Sequence, residues 1–163
     1  MARIPQALER SLGPTKEFYS KALISYSQGY GIGAVSYFRR VVEEKTNELI
    51  DILADLAAQR GISPEDVEKI RLAKNEKTYS TKLETAALVV PLSLRPGGHN
   101  PLALLHDLLS KGLHARGEEE CIGIAREIRQ AFEYVFVNLR AQIETDAQFV
   151  RDIHKLLDKK EAD

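Results

Sequence analysis

Arg39 and Glu43, four residues apart in Tyr37-Phe-Arg-Arg-Val-Val-Glu43, and Ser110 and His114, four apart in Leu108-Leu-Ser-Lys-Gly-Leu-His114, are the side chains best suited to chemistry in this sequence. A guanidinium keeps its charge and forks onto phosphate or carboxylate, an imidazole exchanges a proton near neutral pH, and a hydroxyl or carboxylate can orient either group. On a helical wheel with Val42 at zero, Val35, Phe38, Leu49 and Leu53 fall within about 40°, Arg39 lies about 60° away and Glu43 about 100°. Arg39 therefore borders a buried stripe. Arg40 and Glu44 lie about 160° from Val42 and face water, where such a pair contributes only ~0.3–0.5 kcal/mol. An arginine at a core boundary needs hydrogen-bond partners, because leaving its charge desolvated costs several kcal/mol. Glu43 is the near acid. Arg39 and Glu43 are expected to form a packed ion pair that fixes helix register, the other reading being a cation held in a cleft for phosphate or a peptide carboxylate.

Other reactive groups fit plainer roles. His106 and Ser110 flank one apolar helix face, but a nucleophile needs an oriented base and oxyanion donors. His99 sits in a Gly-Gly loop, and His154 lies one turn before Asp158, short of the three or four ligands that a metal takes. No metal or cofactor is expected. The Gly29-Tyr-Gly31-Ile-Gly33 run follows a helix rather than the strand that a dinucleotide fingerprint requires, so it reads as a turn between helices.

The elements that must hold these groups are helical. Phe18, Ala22, Leu23 and Tyr26 recur at helical spacing over 15–28, with Thr15 as expected N-cap. The stripe from Val35 to Leu56 predicts a long helix over 32–60, stopped by Gly61. Ser63-Pro64-Glu65-Asp66 opens another helix that Pro91 closes at the latest. Residues 91–100 form a loop, and a leucine-rich helix follows from Asn100-Pro101 to about Gly112. Cys121, Ile124, Ile128, Phe132, Val135 and Leu139 mark a second long core helix. Thr145 and Gln148 resemble a capping box before an amphipathic stripe of Phe149, Val150, Ile153, Leu156 and Leu157, and the sequence leaves open whether 118–160 is one helix or two. The expected fold is all-α: a bundle of about five to seven helices, two of them long and central, in one domain over 1–163.

The 163 residues carry 23 Lys and Arg against 24 Asp and Glu, so no global field draws the chain to nucleic acid or an anionic membrane. Any such binding must be local. One cysteine, Cys121, excludes an intrachain disulfide framework, and no apolar run approaches the ~20 residues of a membrane span, which points to the cytoplasm. The apolar face of 145–160 must be buried somewhere, making it a candidate interface.

Tyr37-Phe-Arg-Arg-Val-Val-Glu43 and Leu108-Leu-Ser-Lys-Gly-Leu-His114, followed by Glu118-Glu-Glu-Cys-Ile-Gly-Ile-Ala125, resemble an uncharacterised bacterial helical family with an Arg-Arg-x-x-Glu helix, a Leu-Ser-x-Gly-x-His turn and a Glu-Glu-Cys helix. That family is grouped with the HEPN domains, helical bundles of toxin, defence and RNA-processing proteins. The similarity spans about residues 14–140 and implies a HEPN-like core. Active HEPN ribonucleases carry Arg-x4-6-His, usually working across a dimer. His114 matches the histidine, whereas the three positions allowed to the arginine hold Asp107, Leu108 and Leu109. The resemblance thus implies a non-enzymatic interaction or scaffold module of a defence or regulatory system, homodimeric or bound to another protein, with Arg39, Glu43, Ser110 and His114 as a structural polar cluster. The alternative is a divergent RNA-cleaving, RNA-binding or nucleotide-binding protein in which Arg39 replaces the missing arginine beside His114.

Overall fold

A computed structural model describes residues 3–112 and 117–162. Of the expected turn at 113–117, residues 113–116, His114 among them, lie outside the described residues. Among those described, every regular element is helical and none is a strand. Among the described residues, no helix is long and apolar enough to cross a membrane.

Helix α1, Gln6–Leu12, precedes the elements expected from the sequence and buries Leu8 and Leu12 completely. A single 3-10 turn, Gly13–Thr15, leads into α2, Lys16–Ser27. Thr15 stands at the N-cap position, but its hydroxyl donates back to the Leu12 carbonyl at 2.6 Å instead of accepting from α2. The expected side-chain cap is therefore replaced by a turn that closes on α1. Helix α3, Gly31–Gln59, follows the predicted long helix to within a residue, and Gly61 adopts φ 80° just past its end.

Ser63 caps α4, Pro64–Leu72, by accepting from the Asp66 amide at 3.2 Å. The helix does not run on toward Val90. A 3-10 turn at Ala73–Asn75 ends it, and Thr78, in extended backbone, restarts the chain as α5, Tyr79–Val89, through a reciprocal capping box with Thr81. Two orphan amides are satisfied at once, which makes the break a stable feature. Across the proline-glycine loop, Asn100 accepts from the Leu102 and Ala103 amides at 3.1 and 3.3 Å and so opens α6, Pro101–Gly112.

Residues 118–162 form one continuous helical run: α7, Glu118–Glu133, a π-helical segment Tyr134–Leu139, and α8, Arg140–Ala162. Thr145 lies inside α8, so the expected capping box there is absent: the backbone continues its ladder and leaves no free amides to cap. Helix α3 is the spine. Helices α2 and α7 pack along it, while α4, α5 and α6 cover the rest. Tyr19 meets Phe38 edge to face at 5.4 Å between ring centres, and Phe132 stacks on Phe136 at 4.8 Å, so aromatic rings pair inside the core.

Candidate functional site

Glycine at 31 lets two helix starts meet. A Cβ built there would lie 2.2 Å from the Glu118 carbonyl oxygen and 2.5 Å from the Ile122 nitrogen, both backbone atoms of α7's first turns. The start of α3 therefore touches the start of α7 without an intervening side chain, and the Glu118 carboxylate accepts from the Ile32 amide at 3.3 Å. This contact anchors the start of α3. Two turns further along α3 comes Arg39.

Arg39 is half-buried, as its place on the margin of the stripe demands, while Arg40 is exposed and lies with its guanidinium carbon 5.0 Å from the Phe18 ring centre. The partner of Arg39 is not the expected one. Its Nε donates to the Tyr79 hydroxyl at 3.1 Å, and the guanidinium carbon lies 5.9 Å from the centre of the same ring. Glu43 is exposed and forms no ion pair with Arg39. The reason is geometric. Tyr79 occupies the first turn of α5, which the Thr78 capping box presents to this flank of α3, so the guanidinium meets a phenol already in place before it turns out to a solvated carboxylate.

Arg39, Glu43 and Ser110 nevertheless line one cleft of about 590 Å³, between α3, the start of α5 and α6. Three of the four residues singled out from the sequence are thus brought together. Lys77, Thr78, Tyr79, Ser80, Lys82, His106 and Leu109 complete the lining. Of these, only His106 was singled out from the sequence as a partner for Ser110. Ser110 donates to the His106 carbonyl at 2.9 Å, a bond within α6, and the His106 ring faces Asp107 at 3.5 Å. The two side chains form no nucleophile and base pair.

Sequence reasoning missed Lys77, Thr78, Tyr79, Ser80 and Lys82. The available signal was Thr78 followed three residues on by Thr81, a reciprocal cap in a polar stretch that resembled an uncertain helix middle. The cleft is rich in cations and donors. Arg39, Lys77 and Lys82 oppose Glu43, and the positive end of α5 adds its dipole at Tyr79 and Ser80. Lys82 also donates to the Asn47 side chain at 3.0 Å, which fixes its stem against α3.

Such a lining can bind an oxyanion, with a planar guanidinium on one wall and a helix start on the other. Among the described residues, no three His, Cys, Asp or Glu side chains gather to hold a metal ion. No family model matches the chain, and no curated protein or solved structure matches it either.

Proposed function

We propose that this chain is a non-catalytic, HEPN-like helical module whose cleft holds a phosphate-bearing ligand, RNA or nucleotide, as part of a bacterial defence or regulatory system in the cytoplasm. One observation carries the proposal: Arg39 is tethered to Tyr79 but keeps its charge unpaired by any carboxylate among the described residues, in a cleft shared with Lys77, Lys82 and the first turn of α5. An acid at that margin would have neutralised the guanidinium. Here the neighbouring hydroxyl orients the guanidinium and leaves its charge for a ligand. The family resemblance supports the HEPN-like organisation and the cellular setting, and the exposed apolar stripe of α8 supports association, as a homodimer, outside the cleft.

The test is binding of a short single-stranded RNA and of a nucleoside triphosphate by calorimetry at low and high salt. Wild type binds at least one of them, with affinity falling as salt rises, and Arg39→Met weakens it about tenfold or more while leaving the fold intact. Salt-independent binding, or equal affinity in the variant, would rule the cleft out.

A second reading follows from Ser110. It lines the same cleft as Arg39 and sits four residues before His114, which supports Arg39 and His114 acting together on a phosphodiester, with the imidazole as acid or base. RNA incubated in EDTA with wild type and with His114→Ala separates the two readings. Cleavage by wild type alone establishes the second; intact RNA with both proteins leaves the binding module.

A further inference from the structure

Helix α8 leaves the bundle. Its start is tied to the end of α3, where Gln59 donates to the Ile143 carbonyl and Arg60 to the Gln142 side chain, both at 2.9 Å. From Gln148 to Glu161 every residue is exposed, and the side-chain hydrogen bonds of Gln148, Arg151 and Asp152 stay within the helix. Yet this part carries Phe149, Ile153, Leu156 and Leu157 at 64%, 37%, 59% and 52% exposure, with Val150 beside them. On a helical wheel all four neighbours fall within about 60° of Ile153, so they make one continuous stripe.

The order of residues along that stripe says what covers it. About Ile153 the pattern is symmetric in apolar character and antisymmetric in charge: Val150 and Leu156 lie three residues to either side, Phe149 and Leu157 four, and Asp146 and Lys160 seven. Asp146 and Lys160 lie about 20° from Ile153 on opposite sides, so both close the stripe's ends. A two-fold axis at Ile153 with the helices antiparallel sets Phe149 against Leu157 and Val150 against Leu156, and brings Asp146 of each copy to Lys160 of the other. A parallel pair would place each charge against its own copy. That costs the end contacts and gains nothing in the middle.

We propose that the face of α8 from Asp146 to Lys160 docks on a second copy of this chain, antiparallel, with the two-fold axis at Ile153. The inference deepens the association reading above and rests on it. Isologous contact of this kind closes at two copies and, because each bundle is attached near Ile143, holds the two bundles about 30 Å apart along the helix pair. The clefts then remain open.

Sedimentation velocity of the full chain across micromolar concentrations tests association. Wild type passes reversibly from monomer to dimer, and Ile153→Asp weakens the dimer by about tenfold or more without loss of helical content or melting temperature. Asp146→Lys weakens it, and adding Lys160→Asp restores it. Register is read separately by mixing Asp146→Cys with Lys160→Cys protomers under mild oxidation: the mixture crosslinks efficiently and each variant alone does not. A monomer at every concentration, or a dimer indifferent to Ile153→Asp, overturns the use of this face. A dimer sensitive to Ile153→Asp in which Asp146→Cys crosslinks to itself overturns the antiparallel register and leaves association standing.

Discussion

The Nε of Arg39 donates to the hydroxyl of Tyr79 at 3.1 Å, joining the first third of α3 to the first residue of α5 across 40 positions of sequence. This bond sets where a guanidinium stands in the cleft. Tyr79→Phe removes the acceptor but keeps the ring and the charge, so it should cost about 1 kcal/mol of stability and reduce ligand affinity less than Arg39→Met does. Chemical denaturation and RNA-binding calorimetry on the two variants check the order. Equal loss of affinity would mean that the charge is not what the ligand reads.

Gly31→Ala should be among the more damaging conservative changes in the protein. The new methyl would press on the α7 backbone at Glu118 and Ile122, which cannot swing aside as a side chain tip could. Overpacking of this kind costs about 1–3 kcal/mol. The urea midpoint should fall accordingly, whereas Gly33→Ala, whose Cβ would meet the Ser25 side chain at an ordinary 3.4 Å, should change it little.

Tyr19 gives a pH signature. It is fully buried, its hydroxyl donates to the Glu133 carboxylate, and Arg129 holds the same oxygen at 2.9 Å. Burial first, and the adjacent carboxylate second, push the phenol well above its usual range. Because the folded group titrates higher than the unfolded one, its contribution is fully present below about pH 10 and is lost as pH rises beyond that. Tyr19→Phe should cost about 1.5–3 kcal/mol at neutral pH, and wild type's advantage should shrink at alkaline pH. Urea unfolding of both proteins on either side of about pH 10 measures the difference; a constant gap would contradict the assignment.

Asn100 ties the loop to two helices, since its amide nitrogen donates to the Ala87 carbonyl at 2.7 Å while its oxygen caps α6. Asn100→Ala should destabilise by about 1–2 kcal/mol. Hydrogen exchange should quicken at the Leu102 and Ala103 amides before the rest of α6. Unchanged exchange there would show that Pro101 and packing suffice to start the helix.

How far the fold could be read from the sequence depended on the kind of signal. Helix α3 was legible nearly to the residue because its apolar period runs unbroken from Val35 to Leu56 and ends at a glycine suited to left-handed backbone. Helix α1 was not, because seven residues with two buried leucines give too short a period to stand out. Thr78 and Thr145 show the limit of capping motifs: each offers a hydroxyl with a suitable partner three residues on, yet only Thr78 starts a helix. A cap forms where the ladder is already broken, and the packing of α4 and α5 on α3 decides that.

The sequence by itself determined an all-helical chain, its central helix and the marginal burial of Arg39, because these follow from spacing along one element. Only the tertiary structure decided that Arg39 turns to Tyr79 rather than Glu43, that Lys77 and Lys82 join it, and that the glycine at 31 is a contact between helix starts. Those outcomes depend on which separate elements meet. A side chain at a core edge takes the partner that packing has already fixed nearby, and no local period along the chain encodes that meeting.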